Sequence, residues 1–266
     1  MREEMMVEHG VPVCDVTVFF GDVHGESRQL DRLIKDVRKT YEGYSLRLVT
    51  VGDLIDRGPD VRGVLDLCVE HGVTGVFGNH ETWLMGVLGQ DDDTPVHPFV
   101  TSKIMGGAAT LRSYGLDPKH ATGAHVRAAV PEAHQAWLGG LQPFEWVRTS
   151  GGGWWLVTHA GINAHDVKRV TAQVGLPIMP EGIPDVFAQA CPDQLVWGSP
   201  DVRGKSGGLH IFPEGVTQVF GHLVQRDVVQ APHFVALDTG CGTCPPKVLS
   251  ALVVEPDGNT RLIQAR

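Results

Sequence analysis

Short apolar runs and helix-spaced apolar positions alternate through the first third of the chain. Val16–Phe20, Leu46–Val51 and Val73–Phe77 are compact β-rich runs. After the first come Leu30, Leu33, Ile34 and Val37, and after the second Val61, Val64, Leu65 and Leu67. Trp83, Leu84, Val87 and Leu88 follow the third, and all three sets recur at the spacing of an amphipathic helix. Strand–helix–strand alternation of this kind predicts βαβ units and a largely parallel sheet. The pattern then changes. A polar stretch, Gly89–Thr94, reads as a solvated turn, and Ala-rich segments at Ala108–Leu111, Ala124–Val130 and Pro131–Leu141 read as helices. Pro131 suits a first helical position. The last third predicts strands at Trp154–His159, Val216–His222, Val228–Val229, Phe234–Asp238, Val248–Val254 and Arg261–Gln264, separated by Gly and Pro turns. Neither a repeat nor a long Ser-, Gly- or Pro-rich linker divides the chain. The economical expectation is one domain over residues 1–266, holding two sheets flanked by helices, with a helical insertion at about residues 89–145.

Charge narrows the function. Lys plus Arg is 22 against 31 for Asp plus Glu, a formal net charge of −9. That argues against a protein that blankets nucleic acid or an anionic membrane with positive charge. Hydrophobic residues at 42 % and charged residues at 20 % are an ordinary globular balance. Gly at 33 and Pro at 17 add many sharp turns without reaching a low-complexity composition. No apolar run approaches the ~18 residues that span a bilayer. The opening Met1-Arg2-Glu3-Glu4 places acids where a signal or transit peptide is basic. Five scattered cysteines are an odd count and no disulfide framework, so a reducing cytoplasm is the expected compartment. Cys241-Gly-Thr-Cys244 has no second pair to complete a zinc site and reads as small residues of a hairpin.

The informative polar residues sit where the apolar runs end. Val16–Phe20 leads into Gly21-Asp22-Val23-His24-Gly25, and Leu48–Val51 into Gly52-Asp53-Leu54-Ile55-Asp56-Arg57-Gly58. Val76-Phe77 leads into Gly78-Asn79-His80-Glu81, Trp155–Thr158 into His159-Ala160-Gly161, and Val219-Phe220 into Gly221-His222. In open sheets, ligands bind beyond the carboxyl ends of strands. Asp, His and Asn repeated at such ends form the donor set of a metal site held on rigid elements.

These five motifs resemble those of the phosphoprotein phosphatases, within the calcineurin-like metallophosphoesterase superfamily. The family pattern G-D-x-H-G, G-D-x-x-D-R-G, G-N-H-E, H-G/A-G and a late G-H stands here as GDVHG, GDLIDRG, GNHE, HAG and GH. The resemblance spans Gly21 to His222 and continues into Leu237-Asp238-Thr239-Gly240. It implies an α/β fold of two packed mixed β-sheets, a β-sandwich flanked by helices. Asp22, His24 and Asp53 would then hold one metal, and Asp53 would bridge to a second held also by Asn79, His159 and His222. Mixed imidazole and carboxylate donors favour Mn²⁺, with Fe or Zn²⁺ as alternatives, over Ca²⁺ or Mg²⁺. Two divalent cations outweigh the carboxylates of Asp22 and Asp53, so such a site suits a phosphate dianion even in an acidic chain. They also acidify the water between them and clamp the attacking and leaving oxygens, which implies direct attack by a bridging hydroxide.

The resemblance assigns His80 as general acid toward the leaving group, paired with Asp56. A carboxylate neighbour favours the protonated imidazole that an acid needs. It assigns Arg57 as a phosphate fork, and Arg203 is the candidate for a second, although its flanking sequence departs from the family's form. The substrate stays open between a phosphorylated protein, hydrolysed by a Ser/Thr-type phosphatase, and a small nucleotide such as diadenosine tetraphosphate. Asp56 and Glu81 fit the phosphatase branch. A scaffold that has lost its ligands is the third reading, and the complete donor set argues against it. Trp83, Phe99, Tyr114 and Trp137 are the aromatic residues available to shape a lid or stack a base.

Overall fold

Two five-stranded sheets meet face to face in the computed structural model, which describes residues 13–89, 93–162, 164–174, 182–198, 212 and 214–266. The first sheet has the order β10-β9-β1-β2-β3, with β1 Val16–Phe20, β2 Leu46–Thr50, β3 Thr74–Gly75, β9 Leu249–Val254 and β10 Thr260–Ala265. The second has the order β4-β5-β6-β8-β7, with β4 Phe144–Arg148, β5 Trp154–Thr158, β6 Val216–Phe220, β7 Val229–Ala231 and β8 Phe234–Ala236.

Both sheets are mixed. The β1-β2-β3 and β5-β6-β8 triplets are parallel, while β9, β10, β4 and β7 join antiparallel. The parallel expectation read from the first third therefore holds for β1, β2 and β3, while antiparallel β9 and β10 make their sheet mixed. Strand β1 is buried throughout because both of its faces are covered. Phe19, Val49 and Val51 turn inward to meet Val147, Trp155, Val157 and Val219 of the other sheet. Val16, Val18 and Phe20 turn outward beneath helices α1 (Ser27–Thr40) and α2 (Val61–His71). On the far side Leu156 packs with Val170 and Phe187 of α8 (Ala164–Val174) and α9 (Ile183–Ala190). The result is helix, sheet, sheet and helix in layers.

The run at Val73–Phe77 keeps register with β2 over Thr74 and Gly75, and Val76 N still donates to Thr50 O. On its other side it is bridged by Gln142, with Phe77 N donating to Gln142 O and Gln142 N to Gly75 O. Helix α3 (Asn79–Leu88) begins immediately after Gly78. Helices α4 (Pro98–Thr101), α5 (Gly107–Ser113), α6 (Gly123–Ala129) and α7 (Glu132–Gly140) lie between β3 and β4. Pro131 is the residue before α7 rather than its first helical position. Strand β4 and the helices α8, α9 and α10 (Asp193–Trp197) were not among the elements expected from the sequence. The cysteine pair turns between β8 and β9, with Cys241 buried and Cys244 exposed. Among the described residues, no helix is long and apolar enough to cross a membrane.

Candidate metal centre and active site

The carboxyl ends of the two parallel strand triplets face one another, and the polar motif residues collect there. Asp22 and His24 follow β1, Asp53 follows β2, His159 follows β5 and His222 follows β6. Asn79 and His80 occupy the first turn of α3 rather than a loop. The connecting backbone is bent into conformations that side-chain-bearing residues seldom adopt. His24, Asp53, Asp56, Arg57 and His222 have φ values between 43° and 70°. Such residues cost roughly 1–3 kcal/mol each and persist where the surrounding structure enforces them, typically at functional sites.

Close packing against glycine brings the carboxylates in. A Cβ on Gly78 would fall 2.1 Å from Asp53 Oδ1, and one on Gly221 would fall 1.8 Å from Asp22 Oδ1. Neither position tolerates a side chain.

Asp53 is the shared element of two donor groups. One comprises His24, Asp53 and His80, and the other Asp53, His159 and His222, each with one nitrogen or oxygen per residue within 4.8 Å of the rest. His24 Nε2 lies 3.6 Å from Asp53 Oδ2, and His159 Nε2 lies 3.3 Å from Asp53 Oδ1. Asn79 Oδ1 is 2.9 Å from His159 Nε2 and 3.0 Å from His222 Nδ1. Asp22 joins through its carboxylate, which accepts from His222 N at 3.1 Å. All six residues expected to ligate metal are thus gathered at one place.

Ring orientations are set from behind. His24 Nδ1 donates to Ile55 O and His159 Nδ1 to Val51 O, each at 2.9 Å, so both rings turn Nε2 toward the site. His159 Nε2 also faces an acceptor, Asn79 Oδ1. With acceptors at both nitrogens the metal-free ring must carry two protons. A cation at Nε2 would meet the same acceptors in place of that proton, so this donor set fits divalent metal.

The charges follow the same logic. Burial works against the charge on His159, but Asp53, by charge and hydrogen bond, and Asp22 lift it to about 10. Burial also opposes the Asp53 carboxylate, and the charges of His159 and His80 overcome it and hold Asp53 well below the usual range. Burial lowers His24 to about 3, and burial with the neighbouring charge of His159 lowers His222 to about 4. Both are neutral at ordinary pH, the form that ligates metal. Burial and the neighbouring Asp238 push Asp22 well up, and burial lifts Asp238 itself to about 6. Asp53 is thus the carboxylate held ionised, while Asp22 and Asp238 face too little positive charge.

His80 is buried, its Nδ1 lies 2.7 Å from Asp56 Oδ2, and its Nε2 lies 3.8 Å from Asp53 Oδ2. Arg57 Nη1 stands 2.6 Å from His24 Nε2, while its Nη2 donates to Ile104 O at 3.5 Å. Arg203 lies outside the described residues. Of the aromatic candidates, Trp83 donates to Asp56 Oδ2 at 3.0 Å, Tyr114 pairs with His134 and Trp137 donates to Val73 O. Phe99 is exposed.

Sequence reasoning used Glu81 only as a mark of the phosphatase branch and gave it no structural role. Its buried carboxylate accepts from four backbone N–H groups, those of Asp53, Leu54, Ile55 and Gly78, and so fixes the Asp53 turn. Burial and the charge of Asp53 raise its pKa, with the Gly78 N–H opposing. The G-x-x-E spacing at the start of α3 was the readable signal, since a third-position Glu commonly reaches back to the helix entry.

The model of the family described as Calcineurin-like phosphoesterase matches residues 16–222. The chain belongs to that family. Among its relatives, Serine/threonine-protein phosphatase 1 of Salmonella typhimurium is 39 % identical over 74 residues, covering 28 % of this chain and 33 % of that protein. The Zinc-dependent endopolyphosphatase of Saccharomyces cerevisiae is 35 % identical over 81 residues, covering 30 % of this chain and 24 % of that protein. The matches therefore span a third or less of these relatives. A crystal structure described provisionally as a diadenosine tetraphosphatase superposes with a TM-score of 0.58 at 20 % identity, covering 95 % of this chain and 94 % of that one. At that identity the likeness speaks for the shared fold alone. The family is one of phosphoesterases that use divalent metals.

Proposed function

We propose that Asp22, His24, Asp53, Asn79, His159 and His222 hold two divalent cations bridged by Asp53, with Mn²⁺ first and Fe or Zn²⁺ as alternatives. The chain would use them to hydrolyse phosphomonoesters, with phosphoserine and phosphothreonine proteins as the first substrate class to test. The supporting observation is the His80–Asp56 pair at 2.7 Å, set beside Asp53. Bound there, such cations supply positive charge for the phosphoryl oxygens and acidify the water between them.

The remaining work falls to the chain. Asp56 orients His80 through Nδ1 and leaves Nε2 facing the site, where it can hand a proton to a departing serine or threonine alkoxide. That proton matters most for a basic leaving group, which favours phosphomonoesters. Arg57 offers a planar fork to two phosphoryl oxygens once it turns from His24. Glu81 holds the Asp53 turn in place. Helices α4 to α7 are inserted between β3 and β4 of a single domain, and α5 reaches the site where Thr110 Oγ1 donates to Asp56 Oδ1 and Arg57 N donates to Gly106 O. The free thiols of Cys68, Cys241 and Cys244 are in keeping with a reducing cytoplasm.

A second reading, hydrolysis of the phosphoanhydrides of dinucleoside polyphosphates, is favoured by a groove of basic side chains that begins at Arg57. Turnover of the Mn²⁺-loaded protein, measured side by side on a phosphoserine peptide and on diadenosine tetraphosphate, separates the two. The first reading predicts the higher kcat/KM on the peptide. Higher kcat/KM on the dinucleotide would replace it with the second.

A further inference from the structure

The loops of the candidate site border a groove of about 530 Å³ that starts at Arg57 and runs between the α4–α5 segment and the turn at 242–244. Its charged side chains are Arg57, Lys103 and Arg112, with the hydroxyls of Ser102 and Thr243 beside them and no carboxylate among the described lining residues. Lys103 and Arg112 are exposed. In a chain of formal charge −9 this is a local reversal of sign.

Both walls are built directly on site residues. A Cβ on Gly106 would fall 2.7 Å from Arg57 Cγ, and one on Gly242 would fall 2.6 Å from His24 Cβ. The groove is therefore continuous with the place where a phosphoryl group would sit, and Arg57 belongs to both.

We propose that this groove is a subsite for the phosphates that follow the scissile one. The substrates of this chain would then include oligophosphates, either nucleoside polyphosphates or inorganic polyphosphate. The inference rests on the phosphohydrolase reading of the adjoining site. Arginine forks, hydroxyl groups and a lysine point charge are the donors that phosphate oxygens take. Peptide grooves rely on apolar or aromatic anchors, and among the described lining residues the fully apolar side chains are only those of Ala108 and Ala109. The volume is that of a small-molecule site. In the reaction, water adds to the phosphorus held at the candidate catalytic site, and the bond from that phosphorus to the bridging oxygen on its groove side breaks. The bridging oxygen leaves on the shortened chain with the bond's electron pair, and the proton lost by water ends on a product phosphate or in solvent.

The test uses Lys103→Gln/Arg112→Gln, which leaves every residue of the candidate catalytic site in place. Tripolyphosphate, diadenosine tetraphosphate and inorganic phosphate are compared as inhibitors of aryl phosphate hydrolysis at fixed free Mn²⁺. Tripolyphosphate should inhibit the parent chain about tenfold more tightly than phosphate, and the double variant should lose about that factor. The phosphate constant and the aryl phosphate kcat should not move. A diadenosine tetraphosphate constant below that of tripolyphosphate marks nucleotides as the source, and the reverse order marks inorganic polyphosphate.

A second readout needs no turnover. In EDTA, tripolyphosphate should slow alkylation of the exposed Cys244, resolved by mass spectrometry, in the parent chain and not in the variant. Equal inhibition constants in both proteins, with Cys244 unprotected, would overturn the subsite. Preferential binding of an acidic phosphopeptide, lost in the variant, would also overturn it in favour of a protein partner. Absence of any aryl phosphate hydrolysis would instead defeat the phosphohydrolase reading, and Cys244 protection would still report on the groove.

Discussion

His80 Nδ1 lies 2.7 Å from Asp56 Oδ2, and both side chains are withdrawn from solvent. Asp56 is itself held by Trp83 Nε1 at 3.0 Å and Thr110 Oγ1 at 2.5 Å, so the imidazole is aimed before any substrate arrives. A prepositioned acid is worth most when the departing group is a poor one, with typical contributions of ~10²–10⁴-fold. His80→Asn should therefore lose about that factor in kcat on a phosphoserine peptide, much less on p-nitrophenyl phosphate, and retain its metal. Parallel rate measurements on the two substrates check this. Equal losses on both would rule out the general-acid role.

Glu81 gives the next expectation. Its two oxygens each take two backbone N–H groups, so the amide in Glu81→Gln would turn an NH₂ toward donors. Leaving a buried donor unmet costs about 1–3 kcal/mol. The urea midpoint of the variant should fall accordingly, and metal affinity should weaken with it because the Asp53 turn loosens. An unchanged midpoint would mean the turn holds without this carboxylate.

Two glycines test the close approach of carboxylate and backbone. Gly221→Ala places a methyl 1.8 Å from Asp22 Oδ1, so Asp22 must leave its position and metal binding should drop sharply. Gly86, within α3, has open space around its Cβ position. Gly86→Ala should keep full activity and gain up to about 1 kcal/mol from helix propensity. Calorimetric metal titration of both variants shows whether the damage tracks the geometry.

The metal-free protein should also titrate in a distinctive way. His159 is raised from 6.5 to about 10 in the folded chain. Its contribution to stability is complete below about pH 6.5 and is lost as pH rises toward 10. Cys68 and Cys241, whose burial raises them far above the usual thiol value, act in the same direction at the alkaline end. Stability in EDTA should therefore fall between pH 6.5 and 10, and saturating Mn²⁺ should flatten that fall by replacing the proton on His159. Urea midpoints across this range, with and without metal, decide the matter. A rise with pH in EDTA would contradict the charge arrangement.

How much of this was legible in the sequence depended on how local each signal was. Leu30, Leu33, Ile34 and Val37 announced α1 because all four lie on its buried face. The site residues were legible because each sits in a short motif at the end of an apolar run. Strand β4 was not, since Phe144, Trp146 and Arg148 are all half-buried and follow directly on a helical stretch. Helices α8 to α10 were hidden because they read neither as strands nor as part of a motif. The role of Glu81 was invisible for a different reason. Three of its four partners lie 26 to 28 residues away, on another element, and only the fold brings them to it.

The central claim is that Asp53 joins two metal positions, one with Asp22 and His24 and one with Asn79, His159 and His222, into one reactive centre. Its most direct test is a Mn²⁺ titration of EDTA-stripped protein followed by calorimetry and low-temperature EPR, with aryl phosphate turnover recorded on the same samples. Two equivalents should bind, the second should bring an exchange-coupled signal, and turnover should rise with it. Asp53→Asn should bind less metal, lose the coupled signal and lose turnover. Full turnover at one equivalent with no coupled signal, or two coupled ions and normal turnover in Asp53→Asn, would contradict the account.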